Sequence, residues 1–597
     1  MRFKSSSVGG FRVFAVSGVN TISFGITATA AARKGLLGFA VERIDPVEDE
    51  RYYVYGFKVF ESIVPQPDEN TKVSTYQHPV QSLVWDDFTA KPDRPYTYIF
   101  HPLRGKPKKI DRTAAPVSID VHTEPLFSTA EHDVFFNRGV ASSQAYVREF
   151  GNKPPDDPSL SKADQKRALQ WLTRDLDEAL LKFIATARAG DALRCGFYEF
   201  RYLPVASALK KAIDKGVDVK IICDAKDNGT PAKNGKKAVP AFPRADNLDT
   251  IAQAALPASS IIRREARPNT IAHNKFMVLL KGQSRTPAEV WTGSTNISLG
   301  GIAGQTNVGH WVRNAAVAQQ YLRYWTILSA DPGAAPGESG NSSSGRTKNA
   351  AFYADVEGIL DVPTDLQSLP QGVTPVFSPR RGGQVLDWYI ALVDKATRLS
   401  CITLAFGVNA KFKAALKDNT IQSPLCFLLL EQEDTPNPRS TTPFVTLTAR
   451  NNIYEAFGAF IDGPVYQWAR ETNTRALQLN THVAYIHSKF LLRDPLGADP
   501  IVVTGSANFS DDSTNANDEN MLVIRGNRRV ADIYFTEFNR LFNHYYFRSV
   551  LEQVLRETPD ADQDASLFLA EDDGWLQKYA PGTLRTKRVD MFATMAV

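Results

Sequence analysis

The sequence predicts a multidomain protein in which an N-terminal β-sandwich precedes two α/β halves related by duplication. With 597 residues the chain is too long for one hydrophobic core, and a chain of this length holds about three or four domains. Its first part is rich in short strands, and its second part alternates helices with strands and then repeats itself. Apolar residues make up 43%, charged residues 22%, and the net charge is +4, as in ordinary globular proteins.

Residues 1–122 carry short segments rich in β-branched and aromatic side chains, separated by Gly, Pro, Asp and Asn. Five of them are FRVFAVSG, TISFGITATA, LLGFAVERID, RYYVYGFKVF and PYTYIFHPL. So many short strands in one domain-sized stretch are typical of a β-sandwich. The segment WDDFTAKPDRPYTYIFHPLRG, with Tyr96 and Tyr98 in its penultimate strand, resembles the end of a fibronectin type III domain. We therefore predict a fibronectin type III-like β-sandwich over residues 1–122.

Residues 123–330 have an α/β pattern. The segment PSLSKADQKRALQWLTRDLDEALLKFIATARAG begins with Ser and Asp, has apolar residues at helical spacing and ends in Gly, which predicts a long amphipathic helix. A strand (ALRCGFYEF), a helix (LPVASALKKAIDKG) and a second strand (VDVKIICDAK) follow as a βαβ unit. The second strand is almost entirely apolar, which indicates a sheet covered on both faces.

A linker and a repeat follow the first half. Residues 331–348 are rich in Gly, Pro and Ser and contain no large apolar side chain, which predicts a flexible linker. Beyond it, LSCITLAFGVNAKFKAALKDN echoes LRCGFYEFRYLPVASALKKAID, and PLCFLLLEQED echoes VDVKIICDAKDN. Two widely spaced copies indicate a duplication, and residues 349–550 are predicted as the second half. Residues 551–597 are predicted as a C-terminal tail.

Two histidines stand in the same short pattern, once in each half. His273 and Lys275 open the apolar run IAHNKFMVLL, and His487 and Lys489 open the run IHSKFLLRD. Side chains two residues apart in a strand point to the same face, so each pair places an imidazole beside an ammonium. The chain has only nine histidines, so the repetition indicates a shared function. A second apolar strand follows each pair and ends in a Gly-Ser-x-Asn turn, with Ser294 and Asn296 in the first copy and Ser506 and Asn508 in the second.

This set of side chains suits a phosphodiester. Two lysines and two asparagines, one of each from either half, would form a preorganised cradle for the phosphoryl oxygens. Two imidazoles on opposite sides suit in-line displacement, in which one attacks phosphorus and the other protonates the leaving oxygen. Water activated by the second imidazole would then cleave the phosphohistidine. The motifs contain no carboxylate or Cys/His cluster suited to magnesium or zinc, so neither a metal site nor a cofactor is predicted.

The two motifs resemble those of the phospholipase D superfamily, in which two HxK-x4-D and GSxN-type motifs meet across a pseudo-twofold interface. The second copy is complete, with Asp494 after Lys489, whereas the first has Leu280 at that place. In the family this aspartate is largely structural. The resemblance covers about residues 125–550 and implies two α-β-α sandwich halves and a metal-independent phosphodiesterase.

A further position distinguishes the two halves. Glu519 follows the second Gly-Ser-x-Asn turn at the same distance at which Asn307 follows the first. Superfamily members use an acidic residue there to hold a catalytic imidazole through its other nitrogen. Family precedent implies His273 as the nucleophile, supported by Glu519 across the interface, and His487 as the acid/base.

Five residues are expected to contact the substrate or to support these groups. Ser294 and Ser506 would bond a phosphate oxygen or shape their turns. Glu199 lies near the end of a strand, opposite Ala405 in the repeat, and either a catalytic or a supporting role stays open. The full set is Ser294, Ser506, Asn307, Asp494 and Glu199.

The substrate is left between two phosphodiesters. Three basic segments, 105–109, 233–239 and 261–269, favour a nuclease slightly, because a nucleic-acid backbone needs a basic groove. The alternative is a phospholipase D that cleaves phospholipid head groups, with the sandwich docked on a membrane. An inert binding or scaffold protein is a third reading, and the intact His, Lys and Asn residues of both motifs argue against it.

Location and partners follow from weaker features. The N-terminus has no continuous apolar core of a signal peptide, and no apolar run reaches the roughly 20 residues of a membrane helix, which predicts a cytoplasmic protein. The sandwich could bind a membrane or a protein partner. Because both motifs lie in one chain, catalysis should not require a dimer. The four cysteines form no Cys-x-x-Cys pair and are predicted as buried thiols.

Overall fold

The fold is described from a computed structural model. It describes residues 1–56, 58–67, 71–139, 146, 149–151, 153–231, 238–363, 365–436, 444–458, 485–557 and 568–597, with the side chains of 547–557 left aside.

The described part of residues 1–122 forms two larger antiparallel sheets and a two-stranded one. The strands are β1 (Arg2–Lys4), β2 (Phe11–Ser17), β3 (Ile22–Ala28), β4 (Leu36–Asp45), β5 (Glu50–Tyr53), β6 (Tyr55–Gly56), β7 (Val73–Ser74), β8 (Val84–Asp87), β9 (Pro95–Lys106), β10 (Lys109–Asp111) and β11 (Val117–His122). One sheet has the order β1-β2-β3-β8 and the other β10-β9-β4-β5, with β11 on β9 and β6 paired only with β7. The Phe24 ring of the first sheet packs 4.8 Å from Tyr98 and 5.5 Å from Phe100 of the second. The fibronectin type III-like assignment stays a prediction.

The first α/β half is built on a seven-stranded sheet. Its strands are β12 (His132–Phe136), β13 (Ala192–Phe197), β14 (Asp218–Asp224), β15 (Ile261–Arg264), β16 (Lys275–Lys281), β17 (Thr286–Gly293) and β18 (Val308–Val312). They lie in the order β12-β18-β17-β16-β13-β14-β15. Pairing is parallel from β13 to β15 and antiparallel elsewhere.

The second half repeats this sheet strand for strand, as the predicted duplication requires. Its strands are β19 (Gly372–Ser378), β20 (Leu399–Leu404), β21 (Leu425–Leu430), β22 (Ile453–Phe457), β23 (Phe490–Arg493), β24 (Ile501–Gly505) and β25 (Glu519–Arg525). Their order is β19-β25-β24-β23-β20-β21-β22. The strand β16 begins at Lys275 and β23 begins directly after Lys489, so the two His-x-Lys patterns lie at equivalent places, just before or at the start of a strand.

Helices cover both faces of each sheet. They are α1 (Ala30–Arg33), α2 (Lys162–Thr173), α3 (Leu176–Ala185), α4 (Leu203–Asp214), α5 (Arg244–Gln253), α6 (Ala315–Ser329), α7 (Ser343–Glu357), α8 (Gln384–Asp394), α9 (Ala410–Leu416), α10 (Arg528–Glu557) and α11 (Leu584–Ala593). A central core joins the halves and includes Phe276 of β16, Phe490 of β23, Tyr321 of α6 and Phe538 of α10. The outer face of each sheet has its own core. This two-sided burial explains the nearly uninterrupted apolar strands.

The helix predicted before β13 is two helices. Arg174 and Asp175, with φ of 43° and 70°, separate α2 from α3. The guanidinium of Arg174 donates to Glu537 Oε2 over 2.7 Å and to the carbonyl of Phe136 over 3.1 Å. This buried ion pair holds the left-handed break, which helical periodicity does not reveal.

The predicted linker and tail both make specific contacts. Asp331 accepts from Arg264 over 2.6 Å, and α7 begins at Ser343, so part of 331–348 is helical. In the predicted tail, Trp575 and Tyr579 complete the core of the N-terminal sheets. The amide of Ala596 donates to the carbonyl of Leu496 in the second half. As domain boundaries, the ranges given above stay predictions.

All four cysteines are free and buried, which confirms the prediction of buried thiols. Over the part of the chain that is described, no helix combines the length and the apolar character needed to cross a membrane.

Candidate active site

Both His-x-Lys pairs are buried at the starts of equivalent strands. Exposed fractions are 6% for His273, 2% for Lys275, 5% for His487 and 1% for Lys489. The ammonium of Lys275 donates to the carbonyl of His273 over 2.7 Å, and that of Lys489 donates to the carbonyl of His487 over 2.8 Å. Each pair thus has the same local geometry, and each ammonium keeps N–H groups for another acceptor.

Each imidazole is held by a side chain of the other half. Nδ1 of His273 lies 2.9 Å from Oε1 of Glu519. Nδ1 of His487 lies 2.9 Å from Oδ1 of Asn307. The amide nitrogen of Asn307 donates to the carbonyl of Gly301 over 2.8 Å, so its oxygen is the atom that faces the ring. An amide oxygen only accepts, and His487 therefore carries a proton on Nδ1.

Backbone hydrogen bonds reinforce this crossing. The amide of Asp518, next to Glu519, donates to the carbonyl of Ile271, and the amide of Thr306, next to Asn307, donates to the carbonyl of Tyr485. Ile271 and Tyr485 each precede a motif histidine by two residues. The two bonds are pseudo-twofold equivalents. Each half therefore supports the other half's histidine both through a side chain and through the backbone.

The two Gly-Ser-x-Asn turns are shaped by their glycines and serines. Gly293 has φ of 140°, and a Cβ there would lie 2.2 Å from the carbonyl oxygen of Val308. Ser294 Oγ accepts the amide of Val308 over 3.1 Å, and Ser506 Oγ accepts that of Asn520 over 3.0 Å. These contacts hold the turns in shape, and a bond from either serine to a phosphate oxygen stays a prediction. Ser294 also donates to Asn307 Oδ1 over 2.8 Å.

Glu199 supports the first motif asparagine. Its Oε1 accepts the amide of Asn296 over 2.7 Å, and its Oε2 accepts Arg201 Nε over 2.9 Å. The side-chain oxygens of Asn296 and Asn508 are buried and have no hydrogen-bond partner in the described part of the chain. Both are polar atoms that a ligand could satisfy.

The position of Glu199 in the repeat differs from the prediction. The six-residue strands β13 and β20 pair with β14 and β21 in the same register, Ala192 with Asp218 and Leu399 with Leu425. Counting from these pairs matches Glu199 with Phe406 and not with Ala405. Phe406 is 70% exposed, so the second half has no carboxylate at this place.

Asp494 lies at the far end of β23 from Lys489 and does not reach the site. Its carboxylate accepts the amides of three consecutive residues, Thr397, Arg398 and Leu399. In the first half, Leu280 replaces it and is buried in the central core. There Asp191, which directly precedes the neighbouring strand β13, supplies a carboxylate and accepts the amide of Gly282 over 2.8 Å. The first half therefore has a carboxylate that holds the end of β16, although it lacks the motif aspartate.

Burial and mutual repulsion shift the pKa values of the buried cations. Burial, followed by the charges of the two lysines, lowers the pKa of His273 and of His487 well below the usual value. Burial lowers the pKa of Lys275 to about 8 and that of Lys489 well below its usual range. Because Lys275 and Lys489 act on both imidazoles, the four groups occupy one site. The site as it stands favours the arrival of negative charge.

Glu519 has the opposite shift. Burial raises the pKa of its carboxyl to about 7, against the opposing effect of Lys275. Below about pH 7 the empty site therefore holds a proton on this carboxyl. In the described ranges, no three His, Cys, Asp or Glu side chains are grouped so that they could hold a metal ion.

Sequence reasoning missed several supporting residues. The side chain of Asn137 donates to the carbonyls of Ile302 and Gln305 and accepts the amide of Asn307, so it holds the loop that carries Asn307. Its only signal in the sequence is that HDVFFNRGVASSQAYVREF, which contains Asn137, is echoed by TPVFSPRRGGQVLDWYIALVDKA in the second half. The ring of Tyr198 lies 5.0 Å from that of His273.

Among the described residues, the basic segments 105–109 and 261–269 lie in different parts of the fold. Arg264 and Arg267 of 261–269 are buried in ion pairs of 2.8 Å and 3.1 Å with Asp518. In 233–239, residues up to 237 lie outside the described residues. Lys108 and Lys109 are exposed in the N-terminal sheets. Arg264 and Arg267 therefore hold the segment before Glu519 in place and do not form a nucleic-acid surface.

Comparisons with known proteins give one family match and several remote structural matches. The PLD-like domain model described as cardiolipin synthase matches residues 180–326 and 438–542. Among solved structures, phosphatidylserine synthase from Haemophilus influenzae is 13% identical, with a TM-score of 0.41, and the match covers 69% of this chain and all of that chain. The phospholipase D family member Nuc from Salmonella typhimurium is 21% identical, with a TM-score of 0.19, over 25% of this chain and 84% of that chain.

A polyphosphate kinase from Porphyromonas gingivalis is 11% identical, with a TM-score of 0.34, over 60% of this chain and 46% of that one. The chain thus spans less than half of that kinase. No curated protein matched the sequence. The matches of the family model fall one in each seven-stranded half, and the chain therefore contains two phospholipase D-like regions.

Proposed function

We propose that the chain is a metal-independent phosphodiesterase that works through a covalent phosphohistidine, with His273 as the nucleophile and His487 as the acid/base. The observation that carries the proposal is the crossed support of the two imidazoles by unlike partners, a carboxylate and an amide. A carboxylate on Nδ1 raises the basicity of the ring. This favours attack by His273.

Substrate binding would use the buried cations and amides. Lys275 and Lys489 each spend one N–H on the carbonyl of their own histidine, and their other N–H groups would bind the phosphoryl oxygens. Asn296 and Asn508 would complete the cradle. A bound anion offsets the repulsion between the two lysines and raises the pKa of the neighbouring imidazoles, so His487 is protonated when the substrate is in place.

The chemistry would proceed in two steps. In the first, Nε2 of His273 forms a bond to phosphorus while the bond to the leaving oxygen breaks, and His487 donates its Nε2 proton to that oxygen. In the second, neutral His487 takes a proton from water, which attacks phosphorus and breaks the N–P bond. Asn307 keeps the Nδ1 proton of His487 in place, so Nε2 is the atom that exchanges protons.

Nucleic acid is the first substrate class we propose. Arg201 and Arg381 follow β13 and β19, whose ends pair beside Lys275 and Glu519. Their side chains are 34% and 57% exposed, so they could contact backbone phosphates flanking the cleaved one.

A phospholipid is the second candidate, because Phe406 is exposed at the end of β20 in the other half. An apolar side chain at the rim of a polar site suits contact with a lipid surface.

The test is an assay of the purified protein in EDTA with plasmid DNA, a single-stranded oligonucleotide and phosphatidylcholine vesicles. We expect cleavage of one class in EDTA and its loss in both His273→Asn and His487→Asn. Cleavage that EDTA abolishes would refute the metal-independent scheme. If no phosphodiester is cleaved, the proposed function is wrong.

A further inference from the structure

Two buried acidic residues occupy equivalent places behind the two histidines. Asp224 is the last residue of β14, and Glu431 directly follows β21. The shared register of these strands makes them repeat partners. Their exposed fractions are 1% and 5%. Neither residue belongs to the motifs that point to the function.

Each carboxylate accepts the amide of the residue that precedes a motif histidine. Oδ2 of Asp224 lies 3.0 Å from the amide nitrogen of Ala272. Oε2 of Glu431 lies 2.7 Å from that of Ile486 and 3.1 Å from that of Tyr485. Ala272 lies in irregular backbone before β16, and Ile486 lies before β23 in an isolated bridge with Thr306. Hydrogen bonds to a charged acceptor are stronger than those between neutral groups.

The duplication itself makes this equivalence informative. The two halves have diverged at other supporting positions: Asn307 corresponds to Glu519, and Leu280 to Asp494. Glu199 likewise corresponds to Phe406. Yet both halves keep an acid behind the histidine, and although Asp and Glu differ in length, each reaches the same backbone amide.

We propose that Asp224 and Glu431 are the positioning residues of His273 and His487, respectively, an inference that rests on the proposed function. Each imidazole is then fixed twice, through its Nδ1 by the other half and through its backbone by an acid of its own half. Loss of the backbone anchor lets the ring move relative to phosphorus. A displacement of about 1 Å from the reactive geometry can cost about 100-fold in rate.

The two anchors predict different kinetic defects, because their histidines act in different steps. With bis(p-nitrophenyl) phosphate, the leaving phenolate needs no proton, so His487 is required only for hydrolysis of the phosphohistidine. Glu431→Ala should therefore keep the rate of the first burst of nitrophenol and slow the steady state by about 10- to 100-fold. Asp224→Ala should slow the burst itself. Trapped phosphohistidine should accumulate only in Glu431→Ala.

A matched control is Asp191→Ala. Asp191 is also a buried acid that accepts backbone amides, those of Arg188 and Gly282, but at the opposite end of the same sheet. The Asp191→Ala variant should have a lower thermal midpoint, while its burst and steady-state rates should equal those of wild type. If the alanine variants do not fold, Asp224→Asn and Glu431→Gln can replace them. These variants keep an acceptor oxygen and should show the same pattern of kinetic defects, at a smaller size.

The outcomes separate the two levels of the proposal. If wild type cleaves no phosphodiester, the proposed function fails. If wild type is active and the variants of both acids change burst and steady state equally, or by no more than Asp191→Ala, the positioning role is overturned.

Discussion

Oε1 of Glu519 lies 2.9 Å from Nδ1 of His273, although the two residues belong to different halves of the chain. The matching contact joins Asn307 and His487. Neither half therefore contains a complete site, and each supplies the orienting group for the other's histidine. The interface between the halves is at once the structural core and the position of the chemistry.

Glu519→Gln should reduce kcat/KM by about 10- to 100-fold. The amide keeps the shape but cannot acquire the negative charge that Glu519 gains as pH rises through about 7, so the acidic limb of the pH–rate profile should move to lower pH. The measurement is kcat/KM from pH 4 to 9. In Glu199→Gln, which alters the contact to Asn296, that limb should stay where wild type has it. An unmoved limb in Glu519→Gln would show that the carboxylate does not act on the nucleophile.

The raised pKa of Glu519 should also appear in the pH dependence of stability. The folded protein keeps this proton up to about pH 7, whereas the unfolded chain releases it near its ordinary value, so the unfolded state binds fewer protons in between. Stability from this group is present at low pH and decreases as pH rises to about 7, by about 3 kcal/mol. The thermal midpoint of Glu519→Gln relative to wild type should rise across pH 4.5–7.5. A constant difference would contradict the shift.

The lowered pKa values of the lysines predict proton uptake on anion binding. Lys275 titrates at about 8 in the empty site, and a bound anion raises that pKa. Sulfate carries no titratable proton near pH 8, so its binding should take up a fraction of a proton from the buffer. Calorimetric heats at pH 8 should differ between Tris and HEPES, and affinity should fall above that pH. Lys275→Met should lose much of the difference, and equal heats in both buffers for wild type would refute the prediction.

Restoring the missing motif aspartate should harm the protein. Leu280 is 2% exposed in the central core, and Asp191 already accepts the backbone amide of Gly282. Leu280→Asp would bury an unpaired carboxylate in the apolar core, at a cost of several kcal/mol. We expect a clearly lower thermal midpoint and less soluble protein, compared with Leu280→Asn as the uncharged control. A thermal midpoint equal to that of wild type would show that this position tolerates a buried carboxylate, and would contradict the prediction.

Much of the architecture could be predicted from the sequence, because periodicity can be read within one segment and repetition can be read by comparing two segments of the same chain. The apolar runs predicted β13 and β14, and the echo between the halves predicted the duplicated sheet. The paired His-x-Lys patterns predicted which strands would carry the site. Helical periodicity could not reveal the break at Arg174, since that break depends on a buried ion pair with Glu537.

The finer parts of the site could not be predicted in this way. Asn137 supports Asn307, and Asp224 supports the backbone before His273, through contacts between distant segments. The charge of the segment around Arg264 favours a surface groove, but Asp518 holds Arg264 in the interior. Composition records the charge of a side chain and not the partner that neutralises it.

The sequence by itself determined the residue types of the cradle, their duplication and the unlike pair Asn307 and Glu519, because these are properties of order and spacing along the chain. Only the tertiary structure decided that each histidine is held by the opposite half, that Asp494 lies away from the site, and that Asp191 replaces it in the first half. The physical reason is that hydrogen-bond partners and burial, which set orientation and pKa, depend on distances across the pseudo-twofold interface.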